Sequence, residues 1–223
     1  MGSIDGVSYG IPRLQIKPLY IRAALELLIE GADRLQAKKL VTIDMDEDPI
    51  TNCLSYEMKH IQRTGKSDII SWDIRVDTQS DPLDPQTIGE IDFKFRWSEY
   101  PNPNPNDYDR YLAVEAKRLF GKGDSLSGKY VEKGLMDFVV GKYARGHNYG
   151  IMLGYVLIGP LTTAVDRVSQ AMKKRKVQTA EISAFTPDNS LCIHPHTHHS
   201  THLQHGTATP ITLIHVFLDF SSE

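Results

Sequence analysis

Two alternating segments, separated by a run of turn-forming residues, constrain the fold more than any other feature of the sequence. Residues 89–97 read GEIDFKFRW, in which apolar side chains alternate with charged ones. Residues 110–119 read RYLAVEAKRL, which places Glu115 and Lys117 on the same face. Alternation with period two is typical of a β-strand that is buried on one side. The proline- and asparagine-rich insert at 101–109 cannot lie inside a strand or helix, so we predict a hairpin with a long tip.

Pairing of these two strands would place Asp92, Glu115 and Lys117 on one side of one sheet. Carboxylate oxygens are the ligands that Mg²⁺ prefers in proteins. A nearby lysine can orient or help to deprotonate a bound water and can offset the negative charge that develops during attack on a phosphate. The three residues are therefore a candidate catalytic set. The alternative is that Glu115 and Lys117 are solvated and that Asp92 pairs with Lys94 or Arg96.

The pattern Asp92…Glu115-Ala116-Lys117, with its second half on a predicted strand, resembles the PD-(D/E)xK nuclease superfamily. The proline of the family motif is absent here, and a role for Glu90 stays open. The resemblance implies an α/β fold, restriction-endonuclease-like, with a mixed central β-sheet flanked by helices. It also implies Mg²⁺- or Mn²⁺-dependent hydrolysis of phosphodiester bonds, in which Asp92 and Glu115 bind the metal and Lys117 positions or activates the water.

An acidic run at 44–48 precedes a predicted helix. Pro49 suits the first turn of a helix, and we predict Asp48 as its N-cap. Acids at a helix start are favoured by the helix macrodipole alone. In many members of the resembled superfamily, however, a helix before the sheet supplies one more acid to the metal site, which indicates Glu47 as a third metal ligand here. Glu57, farther along the same helix, is the competing candidate.

The rest of the sequence predicts further elements from its periodicity. The apolar run at 149–159 is typical of a central strand that is covered on both faces. The glycine- and serine-rich segment at 121–128 is predicted to be a flexible loop. The other predicted elements are helices from Pro18 to about Lys38 and from Pro160 to about Lys174, and strands at 69–76 and 211–220.

Basic residues surround the apolar stripe of a predicted helix that follows the Glu115-x-Lys117 strand. They are Lys129, Lys133, Lys142, Arg145 and His147. In the resembled fold this helix packs beside the active site, and neutralisation of phosphates is the main source of affinity for nucleic acid. We therefore predict that the group contacts nucleic acid. For any single one of these residues, a solvated helix face is the alternative.

The segment 194–205 is rich in histidine, and we predict that it forms a loop. It lacks the regular Cys/His pairs of a structural zinc site. Three interpretations stay open: a loop with no single function, a substrate-side role for His199 or His202, and adventitious binding of a transition metal.

Length and charge limit the class of protein. A chain of 223 residues predicts one domain, with its core at about 40–175 and with the histidine-rich loop and the closing strand at 190–220. The net charge of −3 means that a nucleic acid would be held by a local basic patch. The two cysteines, Cys53 and Cys192, favour a reducing, cytoplasmic setting. No segment has the length of a transmembrane helix, so we expect no membrane partner.

These features predict a cytoplasmic, Mg²⁺-dependent nuclease, with endonuclease action favoured over exonuclease action and DNA favoured over RNA. A protein partner or a homo-oligomer is expected, and analogy with the family indicates a subunit of a bacterial anti-phage defence or restriction-type system. The alternative is a non-catalytic module of the same fold that binds nucleic acid or protein. The intact Asp92, Glu115 and Lys117 set argues against that alternative.

Overall fold

The computed structural model describes residues 3–4, 7–8, 10, 14–65, 69–79, 87–97, 110–120, 126–188 and 190–221. The helices are Pro18–Ala37 (α1), Glu47–Arg63 (α2), Leu126–Lys129 (α3), Tyr130–Leu135 (the π-helix), Met136–Val139 (α4) and Leu161–Lys174 (α5). The strands are Ser3–Ile4 (β1), Val7–Ser8 (β2), Ile70–Gln79 (β3), Thr87–Trp97 (β4), Leu112–Phe120 (β5), Tyr149–Ile158 (β6), Glu181–Pro187 (β7), Thr197–Leu203 (β8) and Pro210–Asp219 (β9).

The strands from β3 to β9 form one mixed sheet in the order β3-β4-β5-β6-β9-β8-β7. The central strand β6 runs parallel to both neighbours, β5 and β9, whereas the other neighbouring pairs are antiparallel. This order confirms the predicted mixed central sheet. Strands β1 and β2 pair with each other outside it.

Two apolar clusters cover the two faces of the sheet. The first cluster is built on α1 and α2, and the second on the π-helix and α5. Successive residues of β6 enter different clusters, since Ile151 and Leu153 belong to the first and Met152 to the second. The strand is therefore buried on both faces, as its continuous apolar run predicted. The predicted helices at α1 and α5 and the predicted closing strand at β9 are also confirmed.

Strands β4 and β5 form the predicted antiparallel pair, in which Phe93 lies opposite Val114 and Phe95 opposite Leu112. Phe93 and Phe95 pack in the first cluster, whereas Ile91 packs in the second. The predicted alternation thus holds from Phe93 onward, and Phe93 is also the first β4 residue that pairs with β5. The turn-rich insert at 101–109 lies outside the described residues.

The start of α2 differs from the prediction. Asp46 is the N-cap residue, and Glu47 and Asp48 both lie in the first helical turn. The prediction of Asp48 as N-cap was wrong. The N–H groups of the first helical turn have no intrahelical acceptors, so a proline, which lacks an N–H, can occupy several positions of that turn. Pro49 therefore did not fix which acid precedes the helix.

The segment after β5 is more ordered than predicted. Residues 121–125 lie outside the described part, but Leu126 to Gly128 begin a helix where we predicted a loop. The predicted helix behind the Glu115-x-Lys117 strand is present as two short α-helices with a π-helix between them. π-Helical turns are rare and are often found at functional sites.

Residues 197–203 of the histidine-rich segment form a strand, so the prediction of a loop was wrong for most of the segment. Strand β8 pairs with β9 on one side and with the edge strand β7, which the sequence analysis did not identify, on the other. The buried positions of β8 carry polar side chains, such as Ser200 and His202, so the segment lacks the apolar alternation that normally predicts a strand.

These buried polar groups satisfy one another in a continuous chain of hydrogen bonds. The carbonyl of Thr179 can only accept, so His202 Nδ1 donates to it at 2.8 Å. His202 Nε2 then accepts from Ser200 Oγ at 2.7 Å, and Ser200 Oγ accepts from His215 Nε2 at 2.8 Å. Finally, His215 Nδ1 accepts from the hydroxyl of Tyr130 at 2.9 Å. These directions require neutral imidazoles, and burial keeps them neutral because it lowers the pKa of both His202 and His215. The chain joins β8 and β9 to the π-helix.

Candidate active site

Asp92 and Glu115 lie on the same side of the sheet. Asp92 precedes Phe93, whose partner is Val114, so it lies just outside the paired part of the two strands, and its charge acts on Glu115. Its Oδ2 accepts a hydrogen bond of 2.7 Å from the backbone N–H of Ala116. Since β4 no longer pairs with β5 here, the Asp92 carboxylate takes the place of a backbone acceptor and is fixed beside Glu115.

Lys117 lies between two carboxylates. Its Nζ is 2.7 Å from Glu115 Oε1 and 3.7 Å from Glu47 Oε2, and it donates to the Ala116 carbonyl at 2.7 Å. The side chain is 17% exposed, compared with 6% for Glu115 and 32% for Glu47. The ammonium is thus enclosed, with Glu47 on the more open side.

Helix α2 brings Glu47 to the site. Glu47 is the first residue of the helix, and its Oε2 accepts a hydrogen bond of 2.9 Å from the backbone N–H of Arg118. The competing candidate, Glu57, is buried farther along α2, where its Oε1 lies 2.5 Å from Lys38 Nζ. The structure therefore brings Glu47, Asp92, Glu115 and Lys117 together and leaves Glu57 elsewhere.

Burial controls the protonation of the two central acids. It raises the pKa of Asp92 to about 6, against the opposing effects of Lys117 and of the Ala116 N–H. Burial also raises the pKa of Glu115 to about 8, and the charge of Asp92 adds to this shift. Two carboxylates this close resist ionising together in a low-dielectric site. In the absence of a cation, the pair therefore holds a proton at neutral pH.

The charge of Lys117 is maintained by its neighbours. Burial alone would lower its pKa, but the carboxylates of Glu115, Glu47 and Asp92 outweigh that effect and raise the pKa above its ordinary value. Lys117 is therefore an ammonium group that donates hydrogen bonds, and it is not a free base in this arrangement.

The carboxylates of the site are the type of ligand that a hard divalent cation prefers. Their arrangement, however, does not bring three of them together around one ion. Among the described residues, no group of three or more His, Cys, Asp or Glu side chains is close enough to hold a metal ion. The Lys117 ammonium lies between Glu47 and Glu115 instead. Glu115 Oε2, however, is buried without a hydrogen-bond partner in the described structure. An unsatisfied buried carboxylate oxygen beside the Asp92 carboxylate offers the kind of oxygen ligand that Mg²⁺ or Mn²⁺ prefers.

The predicted nucleic-acid-binding residues do not form one surface. Lys129, Lys133 and Arg145 are exposed. Lys142 forms an ion pair with Asp137 at 2.7 Å, and His147 is buried with its ring against Tyr111. The burial of His147 contradicts its predicted contact with phosphate. The sequence did not reveal this because the residue follows the last helical turn, where periodicity gives no signal.

The sequence analysis missed two groups beside the site. Arg118, next to Lys117, contacts the segment that precedes α2 through its guanidinium. Asp137 adds its negative charge to the field at Glu115 and contributes to the raised pKa of that residue. The position of Asp137 beside the site depends on the path of α4 across the sheet. The sequence around Asp137 therefore did not identify it as a residue of the site. The adjacency of Arg118 to Lys117 was the only available signal.

The fold and the site together define a mixed α/β protein with a buried carboxylate–lysine cluster on its central sheet. No protein-family model, no curated protein and no solved structure matches the chain. Within the described part of the chain, no helix is long and apolar enough to cross a bilayer.

Proposed function

We propose that the protein is a metal-dependent nuclease with a restriction-endonuclease-like fold. One observation carries the proposal: the Lys117 ammonium is held between Glu115 and Glu47, with Asp92 on the same face of the sheet. A cluster of three acids and one lysine that is largely enclosed costs stability, because the charges of its inner members must be taken out of water. Such a cluster is better explained by a reaction than by structural support.

Asp92, Glu115 and Glu47 would hold Mg²⁺ or Mn²⁺, and the buried Oε2 of Glu115 is the best-placed free ligand atom. When bound, the cation would lower the pKa of a coordinated water and offset charge on the phosphate. Lys117 stays protonated and donates a hydrogen bond towards the reacting phosphate, which stabilises the charge that develops on it. The Ala116 N–H keeps Asp92 oriented.

We propose DNA as the substrate, with endonuclease action, in a cytoplasmic complex or homo-oligomer that serves a bacterial anti-phage defence or restriction-type system. The exposed Lys129 and Lys133 support a polyanionic substrate, because they lie on the helical segment that packs behind Lys117. The preference for DNA and the defence context come from the resemblance of the motif.

The test is a cleavage assay of the purified protein with supercoiled plasmid, linear DNA and RNA, each in Mg²⁺, Mn²⁺ or EDTA. We expect plasmid cleavage with either metal and none in EDTA. Lys117→Ala and Lys117→Met should slow cleavage by roughly 100-fold or more, since they remove a group that acts on the transition state. DNA affinity should change by less than about threefold, because bulk phosphate contacts remain.

Lys59→Ala is the matched control, since Lys59 is exposed on α2, and it should cleave at the wild-type rate. Wild-type cleavage by Lys117→Ala, or cleavage that persists in EDTA, would contradict the proposal. A non-catalytic module is the second candidate, because the described acids do not form a three-ligand metal group. DNA binding without cleavage in any metal would support that candidate.

A further inference from the structure

Arg118 makes three contacts with the segment that leads into α2. Its Nη1 donates to the Met45 carbonyl at 3.0 Å, and its Nη2 lies 3.0 Å from Asp46 Oδ1. Its backbone N–H donates to Glu47 at 2.9 Å. One residue of β5 thus binds three consecutive residues at the start of α2.

The start of α2 has no side-chain cap of its own, and its other contacts include the Glu47–Lys117 pair and a hydrogen bond from the Met45 N–H to the Thr42 carbonyl. Asp46 makes no side-chain capping hydrogen bond to the helix, and the first helical bond, from the Ile50 N–H to the Asp46 carbonyl, is long at 3.5 Å. Asp46 is largely exposed, and Ile43 is half-exposed. A helix end without its own cap frays unless another group holds it. The Arg118 guanidinium is in position to do so.

We propose that Arg118 is a positioning residue that holds the first turn of α2 so that Glu47 reaches the metal site. The inference rests on the proposed function. Adjacent strand residues point to opposite faces, so Lys117 enters the site while Arg118 binds the segment that delivers Glu47. A guanidinium suits this role because its planar donors can bind a carbonyl and a carboxylate at once.

The test compares Arg118→Ala, Arg118→Lys and Arg175→Ala. Arg175 is a matched control because it is 25% exposed, compared with 27% for Arg118, and it also binds one carboxylate, Glu132, and one carbonyl, Ala171. Mn²⁺ affinity is measured by calorimetry without DNA, and hydrogen exchange of residues 43–54 is measured in EDTA. Each variant is also combined with Glu47→Gln.

We expect Arg118→Ala to weaken Mn²⁺ binding by about tenfold or more, as is typical when a group that orients a ligand is removed. Exchange at the start of α2 should accelerate, and Arg118→Lys should restore part of both losses. Arg175→Ala should change neither. In the Glu47→Gln background, Arg118→Ala should cause no further loss of affinity, because it acts only through Glu47.

Wild-type Mn²⁺ affinity in Arg118→Ala would overturn the positioning role while leaving the proposed function intact. An equal loss in Arg175→Ala would make the effect one of general stability and would overturn it as well. The positioning role would also be overturned if Arg118→Ala kept its Mn²⁺ affinity but showed a lower salt dependence of DNA binding. That result would make Arg118 a direct phosphate contact. Absence of Mn²⁺ binding by the wild-type protein would refute the proposed function together with this inference.

Discussion

At the scale of single residues, Lys117 is the internal counter-ion of the site. It contacts Glu115 and Glu47, and its removal leaves Glu115 buried without an ionic partner. Leaving a buried charge unpaired normally costs several kcal/mol. Glu115 avoids that cost because burial already raises its pKa to about 8, so it takes up a proton at neutral pH. The Lys117 variants should therefore fold, and their loss of activity should not reflect unfolding.

Glu47 and Asp46 are neighbours whose proposed roles differ, and substitution should separate them. Glu47→Gln keeps an oxygen that can accept from the Arg118 N–H but removes the charge beside Lys117. We expect the cleavage rate in Mg²⁺ to fall by roughly tenfold to 100-fold, as for other losses around a metal site. Asp46→Asn removes the charge at one of the three Arg118 contacts and leaves those to Met45 and Glu47 in place. An ion pair this exposed is worth about 1 kcal/mol or less, so the rate should fall by less than about fivefold.

Initial rates at saturating DNA, over a series of Mg²⁺ concentrations, give this comparison directly. Equal and mild effects of the two substitutions would mean that the acidic run at 44–48 serves only as a helix start. Gln and Asn match Glu and Asp in size, so a difference between the two variants does not arise from lost packing.

At the scale of elements, the π-helix packs closely against the strands that carry the site, with Gly134 at the contact. A Cβ at Gly134 would be 2.5 Å from the terminal methyl of Met152 and 3.4 Å from Lys117 Cγ. A Cβ at this position would force the flexible end of Met152 to move, so the glycine lets this turn pack on β5 and β6 without displacing that side chain. The same turn carries Tyr130, which ends the hydrogen-bonded histidine chain. The site is thus supported from β8 and β9 through the π-helix.

The histidine chain should make stability depend on pH. Burial lowers the pKa of His202 from 6.5 to about 4, so the unfolded chain binds more protons between these values. Stability from His202 is therefore complete above about pH 6.5 and is lost as the pH falls towards 4, by roughly 3 kcal/mol. Burial also lowers the pKa of His215, with further contributions from the neighbouring histidines, in the same direction.

Urea unfolding at pH 7.5, 6 and 5 would test this expectation. His202→Gln should be less stable than the wild type at pH 7.5, but its stability should fall less between pH 7.5 and 5. His60→Gln is the control, because His60 is exposed on α2 and should leave the profile unchanged. The charged residue opposite His202 in the sheet is Glu181, whose carboxylate lies near Lys176.

If the stability of His202→Gln fell between pH 7.5 and 5 by as much as that of the wild type, the acid sensitivity would belong to another group.

At the scale of the whole molecule, the site lies on β4 and β5, whose side chains enter both apolar clusters, so the proposed metal binding should stabilise the entire fold. A ligand that binds only the folded state at ten times its Kd contributes about 1.4 kcal/mol. For a chain of 223 residues, we expect Mn²⁺ at that concentration to raise Tm by about 2–6 °C, in one cooperative transition. The combined Asp92→Asn and Glu115→Gln variant should lose this shift.

Differential scanning calorimetry with Mn²⁺ and with EDTA measures the shift. The control combines Glu26→Gln and Asp166→Asn, two exposed acids on helices, and it should respond to Mn²⁺ as the wild type does. An equal shift in both double variants would indicate nonspecific binding of the metal. Two separate transitions would contradict the predicted single domain.

The elements that the sequence determined by itself are those whose pattern is local. The alternation in β4 from Phe93 onward, the apolar run of β6 and the periodicity of α1 and α5 each follow from side chains that face a core directly. The shared face of Glu115 and Lys117 is equally local, because residues two apart on a strand point the same way.

Only the tertiary structure decided the features that depend on partners distant in sequence. Strand β8 is buried because His202 and Ser200 are satisfied by Thr179 and His215, which no periodicity reveals. Glu47 reaches the site and Glu57 does not, because the first turn of α2 contacts β5 at Arg118, whereas Glu57 lies farther along the helix and pairs with Lys38. A polar group can be buried only where a hydrogen-bond partner meets it, and these partners lie far apart in sequence. Only folding brings them together.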